Sequence, residues 1–138
     1  MHQLRRAREF AQRRAEIADL YDAAFQDLPL IRPPRPPAGD QHPWHLYVIR
    51  LSDESPVGRD EFIERLYRLG IGCSVHYIPL HQHPYWRARY RLTPDQFQNS
   101  QRAFDRMVSL PIYTRMTPHD QDRVIAAVRD LLSHSSGR

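Results

Sequence analysis

The chain has 138 residues, 41% of them hydrophobic and 26% charged, with a formal net charge of +4 at pH 7. These values predict one globular domain and exclude a disordered chain. No apolar run approaches the roughly 18 residues that span a bilayer, the basic N-terminus lacks the apolar core of a secretory signal, and the lone Cys73 fits a reducing compartment, so we expect a cytoplasmic protein.

The first predicted element is a long amphipathic helix within residues 1–28. Pro29 is expected to end it, because the residue before a proline is pushed out of helical geometry. The apolar stripe of this helix consists of Phe10, Ile17, Tyr21, Ala24 and Leu28. Residues 29–44 hold six of the 12 prolines, which predicts a stiff, proline-rich connector.

Residues 45–134 are predicted to form the sheet and its remaining helices. Residues 45–51 are rich in aromatic and β-branched side chains, which favours a strand. Residues 59–69 have helical periodicity and stop at Gly70, a glycine cap followed by an apolar residue.

Alternating apolar and polar side chains predict a second strand over residues 73–78. Its two faces would carry Cys73, Val75 and Tyr77 on one side and Ser74 and His76 on the other. Because Cys73 and His76 would then point apart, we expect Cys73 to be a half-buried structural residue and not a nucleophile.

Two more helices and one more strand are predicted in the remainder. Pro84 is expected to start a helical turn, and residues 93–96 have the order of a capping box. The helix after that box would bury Phe97, Ser100, Phe104 and Met107. Residues 108–113 predict a third strand, with Pro111 at its end.

The last helix is predicted to begin at Thr117 and to bury a stripe formed by Val124, Val128 and Leu131. Residues 135–138 are expected to be a frayed tail. This order of elements predicts an α+β fold, in which a small sheet is covered by helices.

The stretch VHYIPLHQHPYW, residues 75–86, concentrates histidines and aromatic residues. Imidazole and phenol groups can donate hydrogen bonds to a ligand, and flat rings can stack on it. The same side chains could instead be core aromatics and hydrogen-bonded turn histidines. A zinc set of His76, His81 and His83 with His42 or His45 fits no established ligand spacing, so no metal site is predicted.

Two binding functions without catalysis remain as alternatives. The arginines of the first helix could follow a phosphate backbone, but acids share that helix, and a solvated surface is the expected role. The segment RPPRPP, residues 32–37, contains overlapping P-x-x-P patterns with arginines, as ligands of SH3-type domains do.

Three blocks, in this order and spacing, resemble the C-terminal part of the DegT/DnrJ/EryC1/StrS aminotransferases: residues 42–51, 59–86 and 109–128. Those enzymes use pyridoxal phosphate, have fold type I, and aminate keto sugars carried on nucleotides. The resemblance implies a small domain with a mainly antiparallel sheet. It also implies that His76, Tyr77 and His81 line the substrate side of the cleft.

The sequence departs from that family in ways that limit the expected function. All 20 basic residues are arginine, and the cofactor aldehyde needs a lysine amine, so we expect no cofactor in this chain and no transaminase activity from it alone. Gln98 and Gln101 stand where relatives usually have a proline and a glutamate.

The resemblance also implies a partner, either a chain that carries the large domain or a second copy in a homodimer. The first helix would pack against the large domain, so part of its apolar stripe would be exposed in this chain alone. We expect weak binding of a nucleotide sugar, and no binding of nucleic acid or membrane.

Overall fold

The computed structural model describes residues 2–133. The residues predicted as a tail, 135–138, lie outside this range. The elements are α1 (His2–Arg5), α2 (Ala7–Ala24), β1 (Leu30–Ile31), β2 (Tyr47–Leu51), α3 (Arg59–Arg68), α4 (Pro84–Tyr90), α5 (Gln98–Arg106), β3 (Met107–Leu110) and α6 (Pro118–Ser133), with 3₁₀ turns at Leu80–Gln82 and Pro94–Phe97.

The sheet is antiparallel throughout, in the order β1-β2-β3. In β2 the side chains of Tyr47, Ile49 and Leu51 are buried, whereas Arg50 between them is exposed. This alternation is what a sheet with one buried face requires. The predicted α+β class with a small antiparallel sheet is therefore confirmed.

One hydrophobic core joins the sheet to three helices. Its members come from α2, β2, α3, β3 and α6, and the largest fully buried side chains are Tyr21, Phe25, Tyr47, Phe62, Ile17, Ile49, Leu66, Val108 and Val128. The Tyr21 ring packs against Phe25 and Tyr47, with centroids 5.4 and 5.1 Å apart. The predicted stripe of α6 is confirmed, since Val124, Val128 and Leu131 are all buried.

The helix predicted within residues 1–28 differs at both ends. It is interrupted at Arg6, and it ends at Ala24, before Pro29. Its end is set by α6, because Arg129 donates to the Ala24 carbonyl and pairs through two hydrogen bonds with Asp27. A guanidinium at this place satisfies a carbonyl that the helix leaves unpaired.

The apolar stripe of α2 is less exposed than expected. Ile17, Tyr21 and Leu28 are buried in the core of this chain, and Phe10 and Ala24 are half-buried. The part of the stripe that is accessible in this chain alone is therefore limited to Phe10 and Ala24. None of the helices within residues 2–133 is both long and apolar enough to cross a membrane.

The strand predicted over residues 73–78 is reduced to one bridge, between Ser74 and Ser109. The next ladder positions on β3 are Met107 and Pro111. The Met107 N–H is already bonded to Ala103 at the end of α5, and proline has no N–H to offer. The strand that sequence patterns missed is β1, which lies in the range predicted as connector.

The predicted helix α5 forms, but its packing differs from the prediction. The capping box at Thr93 and Gln96 is present, and Pro94 starts the 3₁₀ turn as expected. However, Phe97 and Ser100 are exposed, and α5 buries none of its residues. Of the face predicted to be internal, only Phe104 and Met107 are half-buried.

Candidate functional site

The histidine loop, residues 75–83, runs from the Ser74 bridge through the 3₁₀ turn Leu80–Gln82 to the start of α4. Because only Ser74 pairs with the sheet, the loop leaves the sheet edge and crosses to α5. Tyr77 is 95% exposed. Of the three predicted site residues, Tyr77 alone is open to a ligand over its whole side chain.

His76 is anchored to the sheet. Its Nε2 lies 3.0 Å from the Oγ of Ser109, a buried residue of β3. The ring is half-buried, so part of it remains accessible beside Tyr77. A histidine held at one nitrogen by a rigid strand is oriented before any ligand arrives.

His81 is held on the opposite side, against α5. Only 4% of its surface is exposed. Its ring lies parallel to that of Phe97, with centroids 5.0 Å apart and 12° between planes, and its Nε2 lies 2.8 Å from Gln101 Oε1. The structure therefore brings His76 and Tyr77 to the surface and turns His81 inward.

The histidines of this stretch have separate partners and do not converge on a metal position. His83 Nε2 lies 3.0 Å from the Ile78 carbonyl oxygen, while His76 and His81 bond to β3 and α5. Across residues 2–133, no three side chains of histidine, cysteine or acid types gather closely enough to hold a metal ion.

Exposed apolar side chains continue along the chain from Tyr77 through helix α4. They form the aromatic surface, defined as Tyr77, Ile78, Leu80, Tyr85, Trp86 and Tyr90. The rings of Trp86 and Tyr90 stack at 5.7 Å, and Tyr85 meets Trp86 edge-on at 5.1 Å. Helix α4 buries none of its residues, so this surface is unusually apolar for a chain on its own.

A groove of about 490 Å³ adjoins the histidine loop beside α4. Gln82 and Thr93 line its ends, and Arg87 and Arg91 contribute the cationic side chains. Arginine presents a planar fork of donors that suits phosphate and carboxylate groups. The groove can therefore attract an anion.

Cys73 shows no sign of a nucleophile. The side chain is half-buried, and burial raises the pKa of its thiol to about 11. Reactive cysteines have the opposite property, a pKa lowered by nearby positive charge. The predicted structural role of Cys73 agrees with these surroundings.

The connector is tied down by its second arginine. Arg35 pairs with Asp19 at 2.7 Å and with Asp22, and its guanidinium lies over the Trp44 ring at 5.1 Å. Tyr47 donates to the same Asp22 carboxylate at 2.5 Å. An SH3-type partner that needs Arg35 would first have to break these contacts.

Two of the five arginines in residues 5–14 pair with an acid three positions further along the chain. Arg6 pairs with Glu9 at 2.8 Å, and Arg13 with Glu16 at 3.0 Å. Pairs at this spacing are common on solvated helix faces. Nothing in their arrangement favours a nucleic-acid surface.

Two residues around His81 were not predicted as site residues. Gln101 bonds to His81, and Asp105 bonds to Gln101, one helical turn further along α5. Two signals in the sequence could have indicated these residues. One is the glutamine at position 101, where the family that this sequence resembles usually has an acid. The four-residue spacing of Phe97, Gln101 and Asp105 is the other.

Comparison with known proteins gives one consistent result. The profile of the DegT/DnrJ/EryC1/StrS aminotransferase family matches residues 1–129. The spore coat polysaccharide biosynthesis protein SpsC of Bacillus subtilis is 40% identical over 134 residues, which is 96% of this chain and 34% of SpsC.

Solved structures agree with the profile. The aminotransferase TlmJ of Streptoalloteichus hindustanus superposes with a TM-score of 0.83 at 30% identity, over 98% of this chain and 35% of TlmJ. Helicobacter pylori PseC, an aminotransferase of pseudoaminic acid biosynthesis, gives 0.84 at 25% identity, over 96% of this chain and 35% of PseC. The chain spans about a third of the length of the relatives it matches.

Proposed function

Since this chain belongs to the DegT/DnrJ/EryC1/StrS aminotransferase family, we propose that it is the C-terminal portion of a nucleotide-sugar aminotransferase. Its role is to provide the substrate-side lip of the cleft and a packing surface. The observation that carries this proposal is the family match over residues 1–129 by a chain that spans a third of its relatives.

The family's cofactor, pyridoxal phosphate, does not fit the side chains of this sequence. The cofactor binds its enzyme through a lysine amine, and all 20 basic residues here are arginine. We infer that a polypeptide segment outside these 138 residues supplies the lysine. The chain alone is then inactive in transamination.

The substrate contact that we propose involves the outer part of the histidine loop. Exposed Tyr77 can stack on or donate to a sugar, and half-buried His76 lies next to it in the chain. Arg87 and Arg91 in the adjoining groove suit the diphosphate of a nucleotide sugar. His81 contributes by holding the loop, because its own ring is buried.

The packing surface is the aromatic surface. Apolar patches of this kind mark contacts between proteins, and a partner that covers this one also completes the cleft beside Tyr77. We further propose that the protein works in the cytoplasm, because a lone cysteine stays reduced there.

The experiment titrates the ¹⁵N-labelled chain with UDP- and dTDP-linked sugars and follows amide shifts. We expect weak binding, on the order of millimolar, with shifts in the histidine loop, because only half of the cleft is present. Tyr77→Ala should abolish these shifts. Tyr67→Ala, on α3, is the matched control, since Tyr67 is 76% exposed. Unchanged spectra at 10 mM ligand, or equal loss in both variants, would contradict the proposed lip.

A further inference from the structure

A chain of hydrogen bonds links His81 to the surface of α5. Gln101 Oε1 lies 2.8 Å from His81 Nε2 and 2.7 Å from Gln82 Nε2. The other end of the same amide, Gln101 Nε2, donates to both carboxylate oxygens of Asp105, at 2.8 and 2.9 Å. Gln101 therefore stands between a buried histidine and an acid at the surface.

We call this chain of hydrogen bonds the Asp105–Gln101–His81 relay. The positions of its protons follow from which groups can donate a hydrogen bond and which can only accept one. An ionised carboxylate only accepts hydrogen bonds, so Asp105 requires the NH₂ end of Gln101 to face it. The carbonyl end must then face His81, and it also only accepts. Consequently His81 carries a proton on Nε2, and in the neutral ring the lone pair is on Nδ1.

The ring has little freedom to leave this geometry. It is stacked on Phe97, which precedes Gln101 by one helical turn, and it is 4% exposed. Phe97 thus holds one face of the ring, and Gln101 holds one edge. The same Gln101 oxygen binds the next residue of the loop, Gln82.

We propose that the Asp105–Gln101–His81 relay fixes the tautomer of His81 and anchors the histidine loop to α5. Gln101 and Asp105 are then positioning residues, which act through His81 on the placement of Tyr77. Only this last consequence rests on the proposed function; the tautomer and the anchoring do not.

The test removes the acid, which does not itself touch His81. In Asp105→Ala the Gln101 amide loses the acceptor that orients it, so either end can face the histidine. Asp105→Asn keeps the size of the side chain but replaces the acceptor-only carboxylate with an amide, which can satisfy either end of Gln101. Asp95→Ala is the matched control, because Asp95 is an exposed acid of the neighbouring 3₁₀ turn.

The measurement is a long-range ¹H–¹⁵N spectrum of the histidine rings of the full chain at pH 8.5, where imidazoles are ordinarily neutral. We expect a single Nε2–H tautomer of His81 in the parent chain. Asp105→Ala should introduce the Nδ1–H form and speed exchange of the Nε2 proton with water about five- to tenfold. Asp105→Asn should also admit the Nδ1–H form, and Asp95→Ala should keep the parent spectrum.

The relay is overturned if Asp105→Ala leaves the tautomer and the exchange rate of His81 unchanged, or if Asp95→Ala has the same effect as Asp105→Ala. An unchanged parent spectrum in Asp105→Asn would also contradict the role of an acceptor-only group. No sugar ligand is present in these spectra. Loss of the relay therefore leaves the proposed function standing, and absence of sugar binding leaves the relay standing.

Discussion

Cys73 gives the simplest prediction for a single residue. Burial raises the pKa of its thiol to about 11, whereas an exposed thiol titrates near 8.5. Because the thiolate is the reactive form, iodoacetamide at pH 8.5 should modify the folded chain roughly a hundredfold more slowly than the urea-unfolded chain.

The folded-state rate should rise about tenfold for each pH unit up to the raised pKa. Cys73→Ser provides the blank, since the chain has one cysteine. Equal rates in folded and unfolded chains would show that the thiol is not buried in solution.

Single side chains also show what sequence can indicate about a site. The composition of residues 75–86 indicated a site in the histidine loop, and each of its three histidines has a hydrogen-bond partner within the chain. Pattern could not show that Tyr77 points outward while His81 points inward, because that depends on Gln101 and Phe97, which lie some 20 residues away. Tertiary contacts of this kind leave no periodic trace in the local sequence.

Gly70 ends helix α3, and its replacement gives a prediction about the stability of that helix end. Its φ is +73°, and its N–H and that of Ile71 bond back to Tyr67 and Leu66, both at 2.9 Å. Gly70→Ala should destabilise the protein by about 1 kcal/mol, because a side chain disfavours the left-handed conformation.

Urea unfolding measures this cost. Gly72→Ala is the control, since Gly72 lacks a positive φ and a Cβ there would meet no atom within 4 Å. It should change the free energy of unfolding by a few tenths of a kcal/mol at most. Equal effects at the two glycines would contradict the assignment of strain to Gly70.

Helix ends with local signals were predictable, and those set by distant residues were not. Gly70 and the capping box at Thr93 lie next to the helices that they bound. The end of α2 depends on Arg129, more than 100 residues further along the chain. The absent strand at 73–78 depends on Met107 and Pro111 in the same way.

The exposed aromatic surface leads to a prediction about the association state of the whole molecule. With no partner to cover it, the chain should self-associate as its concentration rises. Sedimentation velocity from about 5 to 200 µM should show an increasing mean sedimentation coefficient, and Tyr85→Ser should reduce that increase.

Tyr67→Ser is the matched control for this experiment, because Tyr67 and Tyr85 are tyrosines of similar exposure, 76% and 67%, on different helices. A monomer at every concentration would remove the packing surface from the proposal. So would an equal effect of the two substitutions, which would indicate nonspecific stickiness.

The prolines next to the sheet limit the kinds of assembly that self-association of this chain can produce. A growing β-fibril adds strands at an open sheet edge, through unpaired N–H and C=O groups. Here β1 is two residues long and is followed, after Arg32, by Pro33 and Pro34, and β3 is followed at once by Pro111. Proline has no N–H to donate, so both outer strands are poor templates for strand addition, and we expect copies that meet through their aromatic surfaces to form finite assemblies.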